Sequence, residues 1–208
     1  SRLALDALIA ARRSGNRYYE AVALIVCALY ARRECRWAET SSALHEAREI
    51  LEGLGNRFQA NSALRGLALL NWKRGHLDVA LQCADRCLQE ATEQASAMLQ
   101  SYARLAKAVT LMHMGKLEEA EEAIGDPPPL GAPGESRAAL FAAEYLADIQ
   151  LERGDVGGAL ARYEEVHAKA LAIAPRGDIV GDVHARRAEC HLRLGRAEDA
   201  YAEAQTAL

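Results

Sequence analysis

The side chains most capable of chemistry are five cysteines (Cys27, Cys35, Cys83, Cys87 and Cys190) and a few histidines close to them. Cys83 and Cys87 stand four residues apart, the spacing of one helix face, with His76 nearby. His184 and His191 flank Cys190 a heptad apart. A structural zinc site takes four ligands with paired short spacings, and neither group supplies them. Buried small hydrophobes are therefore the expected role of the cysteines, and helix interfaces or surfaces that of the histidines. An odd number of cysteines without regular spacing argues against a disulfide framework and for a reducing cytoplasm. No Ser-centred elbow, phosphate-cradling glycine loop or HExxH occurs. The run LEEAEEAI after Lys116 is most simply a solvated helix face. No cofactor and no metal are expected, and catalysis is the class these residues support least.

The elements that must position any site are helices. Half of the 208 residues are hydrophobic, but only 5% are aromatic, and alanine and leucine carry the apolar content. Alanine is the best helix former, with Leu, Arg, Glu and Gln close behind. Apolar residues recur at three- and four-residue spacing, and period-two runs of β-branched and aromatic residues are missing. The net charge of -4 is unevenly spread: through Arg74 there are 12 Lys and Arg against 7 Asp and Glu, and beyond it 13 against 22. Such polarity disfavours nucleic acid, which asks for a basic stripe along most of one face. The opening LALDALIA is too short, and broken by Asp6, to span a membrane. Both ends read as helix, so the chain is expected to be part of a larger protein.

A repeat organises these helices. GHLDVAL at Gly75 recurs as GKLEEAE at Gly115, GDVGGAL at Gly154 and GRAEDAY at Gly195. Each glycine is followed five residues later by alanine, at Ala80, Ala120, Ala159 and Ala200. The spacing is 39 to 41 residues, and projecting back from Gly75 lands on Cys35, the start of a degenerate first copy. Glycine takes the left-handed conformation that stops a helix in a sharp reversal. Acids in the next opening turn, such as Asp78, Glu118 and Asp199, suit the positive end of the helix dipole. Each copy is therefore a helical hairpin. A leading helix (1–14) precedes hairpins at 16–54, 56–93, 95–134, 135–175 and 177–208, whose first helices run near 16–34, 57–74, 95–114, 135–153 and 178–194. The third copy's second helix should stop near Ile124, because GDPPPLGAPGES has four prolines and three glycines; this loop is expected to be the most mobile segment.

This pattern resembles the tetratricopeptide family. The second copy has Leu64, Leu67, Ala68, Gly75, Ala80 and Ala84 at the family's packing positions, and the fourth has Leu146, Ala147, Gly154, Ala159 and Tyr163. The spacing is longer than the family's ~34 residues, and of the proline usual after the second helix only Pro175 is a counterpart. Such lengthened hairpins are similar to the sensor regions of maltose-activator-type bacterial regulators. The resemblance implies an all-α, right-handed α-solenoid of antiparallel hairpins over the whole chain. It also implies that first helices line a concave face taking a protein or peptide segment. Carried over by position, the lining is Arg32 and Arg33, then Arg65, Trp72 and Lys73, then Tyr102 and His113. Further along it is Phe141, Glu144, Asp148 and Glu152, then Asp182, Glu189 and Arg193. The face would be basic and aromatic at one end and acidic at the other. Trp72 either anchors a partner or packs between hairpins. The implied function is an interaction module of a bacterial transcriptional regulator or signalling protein. A small-molecule sensor and a self-association scaffold are the alternatives.

Overall fold

The computed structural model describes residues 2–126, 137–175 and 177–207. They form eleven helices and no strand: α1 (Arg2–Ser14), α2 (Arg17–Arg33), α3 (Trp37–Gly53), α4 (Arg57–Lys73), α5 (Leu77–Glu93), α6 (Ala97–His113), α7 (Leu117–Ile124), α8 (Arg137–Glu152), α9 (Val156–Ile173), α10 (Asp178–Arg193) and α11 (Ala197–Thr206). The protein is an all-α stack of antiparallel helical hairpins. Packing divides the chain into two compact units, the first ending at Gly115 and the second starting at Lys116. The expectation of a mobile proline-rich loop falls on 127–136, outside the described residues.

The helices are stopped by the backbone itself. At Gly75 (φ 76°) the chain turns left-handed; the Gly75 N–H donates to Trp72 O at 2.9 Å and the His76 N–H to Asn71 O at 2.9 Å. These two bonds satisfy carbonyls that the last helical turn leaves without partners. The same pair closes α2 at Cys35, α3 at Gly55, α5 at Ala95, α8 at Gly154 and α10 at Gly195. Cys35 (φ 57°) and Ala95 (φ 50°) hold the left-handed conformation without being glycine. A side chain there costs about 1–2 kcal/mol.

Helix starts alternate in kind from α2 to α7, and the order reverses further on, where Asp155 caps the second helix α9 through the Gly158 N–H and Gly177 gives the first helix α10 no side-chain cap. Asn16, Asn56 and Ser96, ahead of the first helices of their hairpins, accept bonds from the backbone N–H of Tyr19, Gln59 and Leu99. Arg36, His76, Lys116 and Arg196, ahead of second helices, provide no such cap. There, acids in the opening turn (Glu39, Asp78, Glu118, Glu198) act on the exposed N–H dipoles instead.

In the first unit each helix packs on its chain neighbours, and the first helices α2, α4 and α6 also pack on one another in turn. In the second, α8 packs on α9 and α10, and α10 on α9 and α11. Small residues make this close approach possible. Ala80, Ala120, Ala159 and Ala200, five residues past the turn glycines, are all buried, and Thr40 holds the corresponding place in the first copy. Its hydroxyl donates to Arg36 O, so the buried oxygen is satisfied.

The turn geometry yields a paired test. Gly75→Ala should destabilise the protein by about 1 kcal/mol, because alanine must adopt a left-handed φ. Ala95→Gly should stabilise it by roughly 0.5–1 kcal/mol, the relief of that strain less the extra chain entropy of glycine. Urea unfolding followed by circular dichroism measures both.

Candidate functional site

In the first unit, α4 and α6 bring together five of the residues expected to line a binding face. The Arg65 guanidinium lies 5.0 Å from the centroid of the Tyr102 ring. One end of the helices carries a second cluster, in which Lys73 Nζ stands 4.1 Å from the Trp72 ring centroid. The Trp72 ring meets His113 edge-on, with centroids 5.2 Å apart. The Arg65–Tyr102 and Trp72–His113 contacts join α4 to α6, whereas Lys73 lies over its own neighbour within α4, and each cationic contact is worth about 0.5–1 kcal/mol where water reaches it. Trp72 is half-buried, so it packs against α6 while part of its ring stays accessible. Arg32 is half-buried and Arg33 exposed at the end of α2. Arg33, Lys73 and His113 are each the final residue of a 17-residue first helix, so all three sit where a basic group favours the helix's negative end. That 40-residue register was visible in the sequence and is the signal that groups them.

In the second unit the expected residues lie along the seam between α8 and α10, where charges pair across the helices. Arg137 of α8 pairs with Asp178 of α10. Two turns further, Arg186 Nε of α10 forms an ion pair with Asp148 Oδ1 at 3.0 Å. At the end of the seam Arg193 Nη2 lies 3.7 Å from Glu152 Oε1, and its Nη1 donates to Leu151 O at 2.9 Å. Arg186 and Arg137 were not among the expected residues. They recur on the same helix faces as the acids, Asp178, Asp182 and Arg186 being four residues apart on α10.

Two of the expected acids are not presented as surface groups. Glu144 is only 5% exposed and Asp148 7%. Asp148 also accepts the Tyr163 hydroxyl of α9 at 2.5 Å, so it ties three helices together. Burial raises its pKa, opposed by Arg186 and by the Tyr163 bond. Glu144 has less support: its Oε2 is buried without a hydrogen-bond partner. Burial, followed by the negative charges of Asp148 and Asp182, pushes its pKa well above the ordinary carboxylate range, with Arg186 the only cation among the main influences opposing the shift. Glu152, Asp182 and Arg193 are exposed, and Glu189 and Phe141 half-buried.

The other polar clusters complete structural networks. Asn61 Nδ2 donates to Cys87 O at 2.8 Å and the Cys87 thiol donates to Asn61 Oδ1 at 3.1 Å, in the core between α4 and α5. Burial pushes the Cys87 thiol up to about 12, far from a reactive thiolate at neutral pH. A cavity of about 320 Å³ has Arg48, Arg57 and Arg86 in its wall, each already held by Glu52, Glu90 or Glu93. His184 Nδ1 lies 2.6 Å from Glu203 Oε2, and its Nε2 lies 3.0 Å from His167 Nε2. His167 and Glu203 escaped the sequence reading because they come from α9 and α11, distant in the chain from His184. Cys190 lies in the hydrophobic core of the second unit. Among the described residues no three His, Cys, Asp or Glu side chains converge in a metal-ligating arrangement, and no helix is long and apolar enough to cross a membrane.

The fold is similar to that of solved structures, among them two helical-repeat proteins. BtubC (BKLC) from P. vanneervenii superposes with a TM-score of 0.66 at 16% identity, over 99% of this chain and 87% of that one. The apo form of the quorum sensor NprR from B. thuringiensis superposes with a TM-score of 0.65 at 13% identity, over 96% of this chain and 57% of that one. The chain thus spans little more than half of NprR. No protein-family model and no curated protein matches the sequence.

Glu144 gives the site a pH signature. Its pKa is raised in the folded state, so as pH rises above the ordinary value of 4.5 the unfolded chain ionises first and stability falls until the folded group ionises too. Glu144→Gln removes this term. The variant's stability relative to the parent should grow as pH rises from about 4.5, as measured by urea unfolding across that range. A constant difference at every pH would contradict a buried, proton-holding Glu144.

Proposed function

We propose that this chain is a binding module in which the faces of the first helices take a segment of another protein or a peptide, within a bacterial transcriptional regulator or signalling protein. The observation that carries the reading is the clustering of Arg65, Trp72, Lys73, Tyr102 and His113 on adjacent helices α4 and α6. Arginine, tryptophan and tyrosine are the residues that dominate binding energy at protein interfaces, because they combine area with directed polar contact. The likeness of the fold to a quorum sensor supports a sensing or regulatory setting. The helical hairpins support the tetratricopeptide resemblance, and a binding role in place of catalysis is part of this proposal.

The partner of the α4–α6 face is an acidic segment carrying aromatic or apolar side chains, since cations and rings alternate along it. Selection of a random-peptide display library on the folded chain should enrich such sequences. Trp72→Ala and Arg65→Glu should each weaken the selected peptides at least about tenfold, a typical cost for an interface anchor, with unchanged helical circular dichroism. Thermal stabilisation by metabolites alongside a library that enriches nothing would overturn the peptide reading in favour of a small-molecule sensor.

A further inference from the structure

The second unit holds a closed ring of four polar side chains from three helices. Arg187 Nη1 of α10 lies 3.4 Å from His167 Nδ1 of α9, and His167 Nε2 lies 3.0 Å from His184 Nε2 of α10. His184 Nδ1 lies 2.6 Å from Glu203 Oε2 of α11, and Arg187 Nη2 closes the ring on Glu203 Oε1 at 2.7 Å. His184 is buried and the other three are half-buried. One arrangement of protons satisfies them all. A guanidinium only donates, so His167 Nδ1 accepts and the proton of that imidazole sits on Nε2. This Nε2–H donates to His184 Nε2, which leaves the His184 proton on Nδ1 for the Glu203 carboxylate. Both imidazoles are neutral, and the charges of Arg187 and Glu203 balance.

The ring has no place for a further proton. Added to His167, it sets an N–H against Arg187. Added to His184, it sets one Nε2–H against the other, and a tautomer shift of His167 moves that conflict to Arg187. The side of the ring that gives way is the one at His167, because Glu203 holds both His184 and Arg187 by bonds to a charged group, which strengthen when an imidazole becomes imidazolium. Helices α10 and α11 therefore stay together while α9 loses its polar tie to α10. The charges acting on His167 are His184 and Arg187 from α10 and Glu203 from α11. Burial, followed by His184 and Arg187, holds its pKa below the ordinary 6.5, with Glu203 opposing. Helix α8 also packs on α9 and α10, and its buried acids Glu144 and Asp148 act on Arg186. One more histidine faces α11: His191 Nδ1 lies 3.9 Å from Asp199 Oδ2, where a proton draws α10 and α11 closer.

We propose that the His167–His184 pair is a pH-sensitive latch between the hairpin α8–α9 and the hairpin α10–α11, closed near neutral pH and opened by uptake of a proton in mildly acidic solution. The ion pairs Arg137–Asp178, Asp148–Arg186 and Glu152–Arg193 hold α8 to α10 across the same pair of hairpins and act as the hinge. The latch is independent of which ligand the chain binds. As pH falls below 6.5, the open form takes up a proton that the closed form resists, so closure weakens as the solution becomes more acidic. The loss is up to about tenfold in the closing equilibrium for each pH unit between the open and closed values.

Amide hydrogen exchange of the full 208-residue chain, corrected for the pH dependence of intrinsic exchange, reads the latch in the last turns of α9, residues 167–173. Between about pH 7 and pH 5 opening there should rise about tenfold, while α11 keeps its protection. His167→Gln has an amide N–H to donate to His184 and a carbonyl to accept from Arg187, but no proton to gain, and should show no such rise. His191→Gln should behave as the parent does. Imidazole ¹⁵N spectra of the parent should place the His167 proton on Nε2 near neutral pH and its titration midpoint below about 6.5. Should His167→Gln not fold, these spectra and the exchange profile of the parent decide. Equal pH profiles for the parent and His167→Gln, a His167 midpoint at or above the ordinary value, or protection lost across α9, α10 and α11 at once would each overturn the latch.

Discussion

The structure depends on one backbone conformation recurring along the chain. A residue in the left-handed region ends a helix, returns two N–H groups to the carbonyls of its last turn and points the chain back alongside itself. In the first unit these residues are Gly15, Cys35, Gly55, Gly75, Ala95 and Gly115, twenty positions apart. With the stops at fixed intervals, α2 to α6 are each 17 residues long. Residues 40 apart therefore occupy the same place on successive first helices. Alanine near the turn lets neighbouring backbones approach, and the hydrophobic contacts that stabilise the stack follow from that register. In such a stack, stability is shared among adjacent interfaces and no single core dominates.

On this frame the two units carry different electrostatics. The α4–α6 face of the first places cations against aromatic rings near the surface. The second sets its charges between helices, where Asp148 binds Tyr163 and Arg186 together and the pair His167–His184 leads to Glu203 on α11. Buried polar networks of this kind fix the register of elements whose apolar contacts are sparse, since a shifted helix would leave charges without partners. Helix α11 is such an element. Its one buried residue is Ala200, and Glu203 joins it to α10 through His184 and through Arg187 at 2.7 Å.

Much of the fold was legible in the sequence because its determinants are local. A glycine just past a helix, an acid in the next turn and an alanine five residues on each act within a few residues, and periodicity amplified them. Even the degenerate turn at Cys35 was visible as a displaced copy of Gly75. The turn at Ala95, which falls at the start of the hairpin expected from 95, rested on register alone, because alanine carries no turn signal. The site was less legible, for a physical reason: family position shows which way a residue points along its own helix but not what stands opposite. Glu144 and Asp148 were expected as part of an accessible acidic lining. Their burial depends on α9 and α10, supplied by residues 15 to 40 positions later in the chain. Arg186, which compensates Asp148, has no feature in isolation that separates it from Arg187, whose partners lie with His167 and Glu203 instead.

The closing bonds of each turn run between backbone atoms, and this bears on how such a protein changes over evolutionary time. They ask for a particular shape of chain at one site in twenty and hardly at all for particular letters elsewhere, provided that the inward positions stay small or apolar. Drift can therefore rewrite nearly every outward side chain without a structural penalty, so ancestry persists in three-dimensional form after it has faded from the alphabet. The corollary is an asymmetry of mutation. A substitution at an exposed first-helix position alters the chemistry of that face and little else, whereas one inserted residue within a helix rotates everything beyond it by about 100° and scrambles the face.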